Sequence, residues 1–334
     1  MSTLPALPVA ASIFSTVALG ELVGRHYGLV PPATCELVAS GENDMYRLHT
    51  GGQNLYLRVY RAGMPKPFIR EELLVLTHLA QEGLHVPLPL AAPATGEVLL
   101  PLAAPEGVRM AVLCLDLGKT RLDLADDRQV SAYGRTVGAL HKALDRLTRP
   151  VKRLQLDGEF LVAGPMLRLR PHLPSWPAEI RFIESLAAAV LATLRQDRRE
   201  HPSYGLCHGD LNLANVLWDG SSIAFLDFEL CGHGWRTYDL AVFLWNLVDN
   251  QPDPVKRTAI RETYLAGYQE VRGDLAEAER RLLPFLVLAR HFETMGYHAL
   301  CTRKFGSSFL DENYFKTHLG YLHGWQEEYG IAIV

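Results

Sequence analysis

The stretch His208-Gly-Asp-Leu-Asn-Leu-Ala-Asn215, followed twelve residues after its last asparagine by Asp227-Phe-Glu229, decides how this chain is read. Asp210 and Asn215 lie five residues apart, a spacing that one loop can hold. Residues 215–218 and 223–226 read as two short strands around Asp219-Gly220, a strong hairpin signal. The hairpin returns Asp227 to the side of the loop. A carboxylate, an amide oxygen and a second carboxylate then converge, a hard-oxygen set suited to Mg2+ that also engages phosphates. An acidic group beside an incoming hydroxyl can orient it and take its proton. Phosphoryl transfer asks for little more, because its catalysis is mostly positioning and charge neutralisation. Aspartate, asparagine and glycine collect in any turn, so H-x-D or D-x-x-x-x-N alone would mean little. The spaced positions, the Asp-Gly turn, the second aspartate after an apolar strand and the later Tyr238-Asp-Leu-Ala241 together are much harder to obtain by chance.

Upstream of this stretch the pattern is β-rich. Residues 35–39 and 45–49 read as strands around the turn cluster Ser40-Gly-Glu-Asn-Asp44. Gly51-Gly52 turns the chain into a third strand over 54–60. Pro65 and Pro67 break it, and a helix follows over 68–82 with Leu73, Leu76 and Leu79 on one face and Gly83 as its stop. Residues 86–90, 97–102 and 109–115 read as further strands. From Asp116 onward the periodicity is helical, over 130–147, 178–195, 239–248, 254–271, 276–300 and 312–329. The expected architecture is α+β. A small antiparallel β lobe with one helix occupies 1–113, a connector 114–118, and a larger, mainly helical lobe 119–334.

A chain of 334 residues is long for one core, which agrees with two lobes. A net charge of −4 lacks the basic excess of nucleic-acid binders, so no nucleic-acid partner is expected. Cys35, Cys114, Cys207, Cys231 and Cys301 are scattered and show no C-x-x-C spacing. That argues against a disulfide framework or structural zinc and for a reducing, cytoplasmic setting. Cys207-His208 and Cys231-x-His233 could be metal ligands, but both fall inside the segment already explained. The apolar stretch over 4–19 has no basic n-region and is interrupted by Pro5 and Pro8, unlike a signal peptide. No apolar run is long enough to predict a membrane span.

The 208–227 segment resembles the catalytic loop and metal-binding strand of the aminoglycoside phosphotransferase and choline kinase family. That family's pattern is H-G-D-x-x-x-x-N, a hairpin, then I/L-D-[FW], and the match is full through Asp227. The resemblance implies a two-lobed protein-kinase-like fold that uses ATP and Mg2+. It implies Asp210 as catalytic base and Asn215 and Asp227 as the Mg2+ ligands. His208 would be structural beneath the loop, and Asp239 would brace it. In the first lobe, Ser40-Gly-Glu-Asn-Asp-Met-Tyr-Arg47 is similar to the family's G-x-x-N-x-x-[YF] loop, putting Ser40, Gly41 and Asn43 over the ATP phosphates. Arg58 holds the place of the strand lysine that pairs with phosphates, a role its planar fork suits; the plainer alternative is an ordinary exposed strand residue. Its glutamate partner is Glu71 or Glu72. Glu72 is preferred, because Leu76 and Leu79 complete the E-x-x-x-L-x-x-L register. The backbone around Leu113 and Leu115 would meet the adenine edge, or form plain interior strand. Glu229 replaces the glycine of D-F-G, and only eleven residues separate Asp227 from Asp239, too few for an activation loop.

The N-lobe register and Val86-Pro-Leu-Pro look most like the branch containing stress response kinase A and type II homoserine kinases. Arg290, Glu293 and Tyr297 share one helical face and, with Trp245, could line an acceptor pocket. Asp249 and Asp253 form no dense acidic patch, which speaks against an antibiotic-resistance enzyme. The expected reaction moves the γ-phosphate to a small-molecule hydroxyl, of homoserine, hydroxylysine or amino-sugar type. The alternatives are a protein Ser/Thr kinase of the stress-response type and a silent nucleotide-binding module. Loss of Asp210, Asn215 or Asp227 would favour the silent module, and all three are present. Acceptor identity, oligomeric state and ATP against GTP stay open at this point.

Overall fold

In the computed structural model, which describes residues 7–31, 33–118 and 120–333, the chain separates into two units, Met1–Lys119 and Thr120–Val334. Part of the apolar stretch over 4–19 lies outside the described residues.

The first unit begins with helix α1 (Thr16–Tyr27), capped by the Ser15 side chain. Strands β1 (Thr34–Ser40), β2 (Asp44–Thr50) and β3 (Gln53–Val59) follow, then helix α2 (Lys66–Gln81) and strands β4 (Leu100–Ala104) and β5 (Gly107–Leu115). The strands form one antiparallel sheet in the order β1-β2-β3-β5-β4. Tyr46 and Leu48 of β2 and Leu55, Leu57 and Val59 of β3 point to one face by the two-residue period of a strand. That face packs against Leu19, Val23 and Tyr27 of α1. The sequence pattern does not mark α1, whose apolar spacing Gly20 and Gly24 interrupt.

The strand expected over 86–90 does not form. Pro87 and Pro89 lack the N–H groups a ladder needs, and an isolated bridge, Pro89 to Cys114, marks the contact with β5. Leu90 N–H still donates to the Leu113 carbonyl at 2.7 Å, so the segment runs along β5 without becoming a strand.

The second unit starts with β6 (Thr120–Arg121) and α3 (Asp127–Asp145), then β7 (Leu154–Leu156), a π-helical turn at Glu159–Ala163, α4 (Gly164–Leu169) and α5 (Pro177–Gln196). Next come β8 (Tyr204–Cys207), β9 (Val216–Trp218), β10 (Ile223–Phe225) and β11 (Gly232–Trp235). Helices α6 (Arg236–Asn250), α7 (Pro254–Arg272), α8 (Glu277–Phe305) and α9 (Glu312–Glu328) complete it. There are two small sheets, β10-β9-β6 and β7-β11-β8. The second one positions the site. β8 ends one residue before His208, and β11 ends one residue before α6. Their antiparallel register, Gly232 with Cys207 and Trp235 with Tyr204, lays the first turn of α6 beside the loop that starts at His208. Gly-His-Gly-Trp carries no strand signal, so β11 is invisible to pattern reading.

Among the described residues, no helix is long and apolar enough to cross a membrane. All five cysteines are free thiols.

Candidate active site

The loop after β8 is held from below by Asp239 of α6. The backbone N–H groups of His208 and Gly209 donate to Asp239 Oδ2 and Oδ1 at 2.8 and 2.7 Å. His141 of α3 adds a third bond, its Nε2 lying 2.9 Å from Asp239 Oδ2. Burial works to raise the Asp239 carboxyl. The His141 hydrogen bond and the charge and amide partners around it outweigh burial and hold the group below the ordinary carboxylate value. Burial pushes His141 down to about 4, so it is neutral at pH 7. The neutral ring then donates from Nε2 to Asp239 and accepts at Nδ1 from the Tyr268 hydroxyl, 3.0 Å away.

His208 ties the loop to the far strand of the hairpin. Its Nε2 donates to the Leu226 carbonyl at 2.9 Å, and its Nδ1 accepts the Asp210 N–H at 3.2 Å. The side chain is fully buried and packs on Phe228. Tyr133 of α3 fixes the next residue, donating its hydroxyl to the Leu211 carbonyl at 2.7 Å. Asn246 of α6 accepts the Leu213 N–H at 2.9 Å.

Within this frame Asp210 and Asn215 meet. Asn215 Nδ2 donates to the Asp210 carbonyl at 2.9 Å and to its Oδ2 at 3.0 Å. Spending its amide nitrogen this way leaves the Asn215 Oδ1 as a lone-pair donor. The Leu226 N–H bonds the Asn215 carbonyl at 2.9 Å, so the residue after Leu226, Asp227, is tethered to the end of the loop. Asp227 is exposed and has φ of 56°, a left-handed conformation that is uncommon for a residue with a side chain. Backbone strain of this kind collects at functional positions. Arg153, a buried residue the sequence reading passed over, donates to the carbonyls of Phe228 at 2.9 Å and Cys231 at 3.0 Å, and also to that of Glu229. The segment after Asp227 is therefore fixed by a guanidinium.

Of the residues proposed for an acceptor pocket, Arg290 sits against Asp210 itself. Its Nη2 donates to Asp210 Oδ1 at 2.7 Å and its Nη1 to Glu293 Oε2 at 3.0 Å. Its guanidinium carbon is 5.0 Å from the centre of the Trp245 ring. Burial disfavours its charge, but Asp210 and Glu293 overcome this and hold its proton more firmly than usual. Burial also pushes the Glu293 carboxyl up, with Arg290 opposing. Tyr297, one turn further along α8, is 39 % exposed. Trp245 is also anchored, donating its indole N–H to His291 at 3.0 Å.

In the first unit, Arg58 of β3 and Glu72 of α2 form an ion pair of 3.3 Å with both side chains largely buried. The Tyr60 hydroxyl adds a 3.3 Å bond to the same Glu72 oxygen. Ser40 and Asn43 are engaged within the fold. Ser40 Oγ donates to Asp44 at 2.6 Å, Asn43 Oδ1 accepts the Arg61 N–H at 3.0 Å, and the Gly41 N–H bonds the Asn43 carbonyl at 3.1 Å. These groups shape the β1–β2 turn. The Leu113 carbonyl is taken by Leu90, and the Leu115 N–H lies 3.4 Å from the Leu88 carbonyl.

Two residues that hold the site, His141 and Arg153, escaped sequence reading. His141 had a faint signal, a histidine on the buried face of a helix whose neighbours are Val137, Leu140 and Leu144. Arg153 had none, since its partners lie 75 to 78 residues away.

A protein of Deinococcus radiodurans is 34 % identical over 97 % of this chain and 93 % of its own length. An amicoumacin kinase of Bacillus subtilis is 26 % identical over 78 % of each chain. The solved structure of a microcompartment-associated aminopropanol kinase superposes with a TM-score of 0.78 at 24 % identity, covering 95 % of this chain and all of that one. It shares the fold. The model of the APH phosphotransferase enzyme family matches residues 34–281, and the chain belongs to that family.

Proposed function

We propose that this phosphotransferase moves the γ-phosphate of ATP to a hydroxyl group of a small amine-bearing molecule, with Asp210 as the base. The observation that carries this reading is the joining of Asp210, Asn215 and Asp227. Asp210 and Asn215 bond directly at 3.0 Å, and the Asn215 carbonyl holds the residue before Asp227 at 2.9 Å. Asp210 accepts the proton of the attacking hydroxyl as its oxygen bonds to phosphorus, and ADP departs with the electron pair of the broken P–O bond. Asn215 Oδ1 and the Asp227 carboxylate are the oxygen donors that suit Mg2+, which when bound neutralises charge on the phosphates. Arg58, aligned by Glu72, serves the nucleotide phosphates.

The amine is inferred from the relatives. The name of one structural neighbour, an aminopropanol kinase, describes an amino alcohol substrate. ADP release should be followed with Mg2+ and ATP across a panel of amino alcohols, hydroxy amino acids and amino sugars, with Asp210→Ala as control. One or a few of these should stimulate turnover that the variant lacks. If none does and a protein in a lysate is labelled instead, the small-molecule assignment is wrong.

A further inference from the structure

We propose that Arg290 is a positioning residue for Asp210: by filling Oδ1 it makes Oδ2 the oxygen that takes the acceptor's proton. The inference rests on Asp210 being the base. An ionised carboxylate offers about four lone-pair sites, two on each oxygen. Oδ1 accepts from Arg290 Nη2 at 2.7 Å and from Asn212 Nδ2 at 2.9 Å, which fills it. Oδ2 accepts from Asn215 Nδ2 at 3.0 Å, which leaves one lone pair. The vacancy is on the oxygen that faces Asn215, whose backbone carbonyl also tethers the chain before Asp227. A hydroxyl bonded there donates its proton to Oδ2 as its oxygen forms the new bond to phosphorus.

Arg290 can hold this geometry because it is itself held. It is 7 % exposed. Glu293 fixes one arm at 3.0 Å and the Trp245 ring covers its face. Its Nε is buried without a hydrogen-bond partner, and the Tyr238 side chain joins the two carboxylates around the guanidinium. Asp210 is therefore clamped from α8 on one oxygen and from its own loop on the other. A planar fork locked in this way cannot be replaced by the flexible point charge of lysine without loss of aim. The contacts move Arg290 from the acceptor pocket, where sequence spacing put it, to the base.

The test compares Arg290→Gln, Arg290→Lys and Asp210→Asn with the parent protein. The reactions are ATP with L-homoserine, with 1-amino-2-propanol, and with water alone as acceptor, so a signal does not depend on knowing the natural substrate. Arg290→Gln should lose roughly 100-fold in kcat, the size expected when a reacting group is misplaced by about 1 Å. KM for ATP and for the acceptor should stay where they were, and Arg290→Lys should recover part of kcat. A raised acceptor KM at unchanged kcat would show that Arg290 binds the acceptor and would overturn the proposal. Unchanged kinetics would overturn it too. Should Arg290→Gln not fold, Arg290→Lys decides alone, and parental kcat in that variant refutes the clamp. Parental turnover by Asp210→Asn would instead sink the assignment of the base.

Discussion

His141 and Asp239 meet 2.9 Å apart with neither side chain reaching solvent, and the same carboxylate carries the backbone of the loop that presents Asp210. The pair is thus a foundation for the site. Removing Asp239 strands three donors in the interior, and each buried donor left unsatisfied costs about 1–3 kcal/mol. Asp239→Ala should therefore lower stability by several kcal/mol in urea melts, while Asp239→Asn, which keeps one acceptor oxygen, loses less. Equal losses would mean that the hydrogen bonds are not what the carboxylate contributes.

Acid should weaken the fold through the same pair. His141 drops from an ordinary value of 6.5 to about 4. Between those values the unfolded chain binds a proton that the folded chain refuses. Stability is therefore full above about pH 6.5 and falls as pH drops toward 4, by up to about 3 kcal/mol from this residue. Asp239, held below its ordinary value, adds loss in the same direction at lower pH. Unfolding free energies measured from pH 7 down to pH 4 should show the slope, and His141→Gln should flatten it. An unaltered slope in that variant assigns the effect elsewhere.

Asp227 allows charge and backbone to be separated. Its φ of 56° is tolerated by asparagine, while alanine there costs about 1–2 kcal/mol. Asp227→Asn should keep the fold and raise the Mg2+ needed for half-maximal ADP release by roughly 10- to 100-fold. Asp227→Ala should show that loss together with a lower unfolding temperature. A parental Mg2+ requirement in Asp227→Asn would remove Asp227 from the metal site.

For the first unit, Glu72→Gln should raise KM for ATP. The Arg58 guanidinium loses a charged partner, and hydrogen bonds to charged groups contribute about 1.5–3 kcal/mol, roughly ten- to a hundredfold in affinity. Glu71→Gln, made in parallel, should change it little. Thermal-shift titration with ATP reads both, and a response confined to Glu71→Gln would reverse the assignment.

What the sequence made legible was local. The loop and hairpin from His208 to Asp227 could be read because their parts lie within twenty residues. Glu72 could be preferred over Glu71 from the leucines that follow it, and the Arg58–Glu72 pair is there in the structure. What stayed hidden was tertiary. Arg290 reaches Asp210 across 80 residues and His141 reaches Asp239 across 98. Spacing put Arg290 on a helical face but could not say which carboxylate that face meets. β11 and its partner β7 were missed because Gly-His-Gly-Trp and Leu-Gln-Leu are too short to show a period. They pair through partners that are far away in the chain.

The helix that delivers Tyr133 and His141 to the loop, α3, and its neighbour α7 approach each other through glycine. A Cβ on Gly134 of α3 would lie 2.0 Å from the Tyr264 carbonyl oxygen of α7, and one on Gly267 would lie 2.3 Å from the Ser131 carbonyl oxygen. Both collisions are with backbone, so the helices themselves must separate. Gly134→Ala should cost about 1–3 kcal/mol or more from overpacking. Because α3 also carries the Tyr133–Leu211 and His141–Asp239 bonds, turnover should fall further than the unfolded fraction accounts for. Gly324→Ala in α9 is the matched control. Its added Cβ meets nothing within 4 Å, so the better helix propensity of alanine should stabilise by about 0.5–1 kcal/mol with turnover unchanged. Thermal melts and ADP release on the two variants read the contrast. If Gly134→Ala shifts both no more than Gly324→Ala does, the α3–α7 contact is not what holds the loop in place.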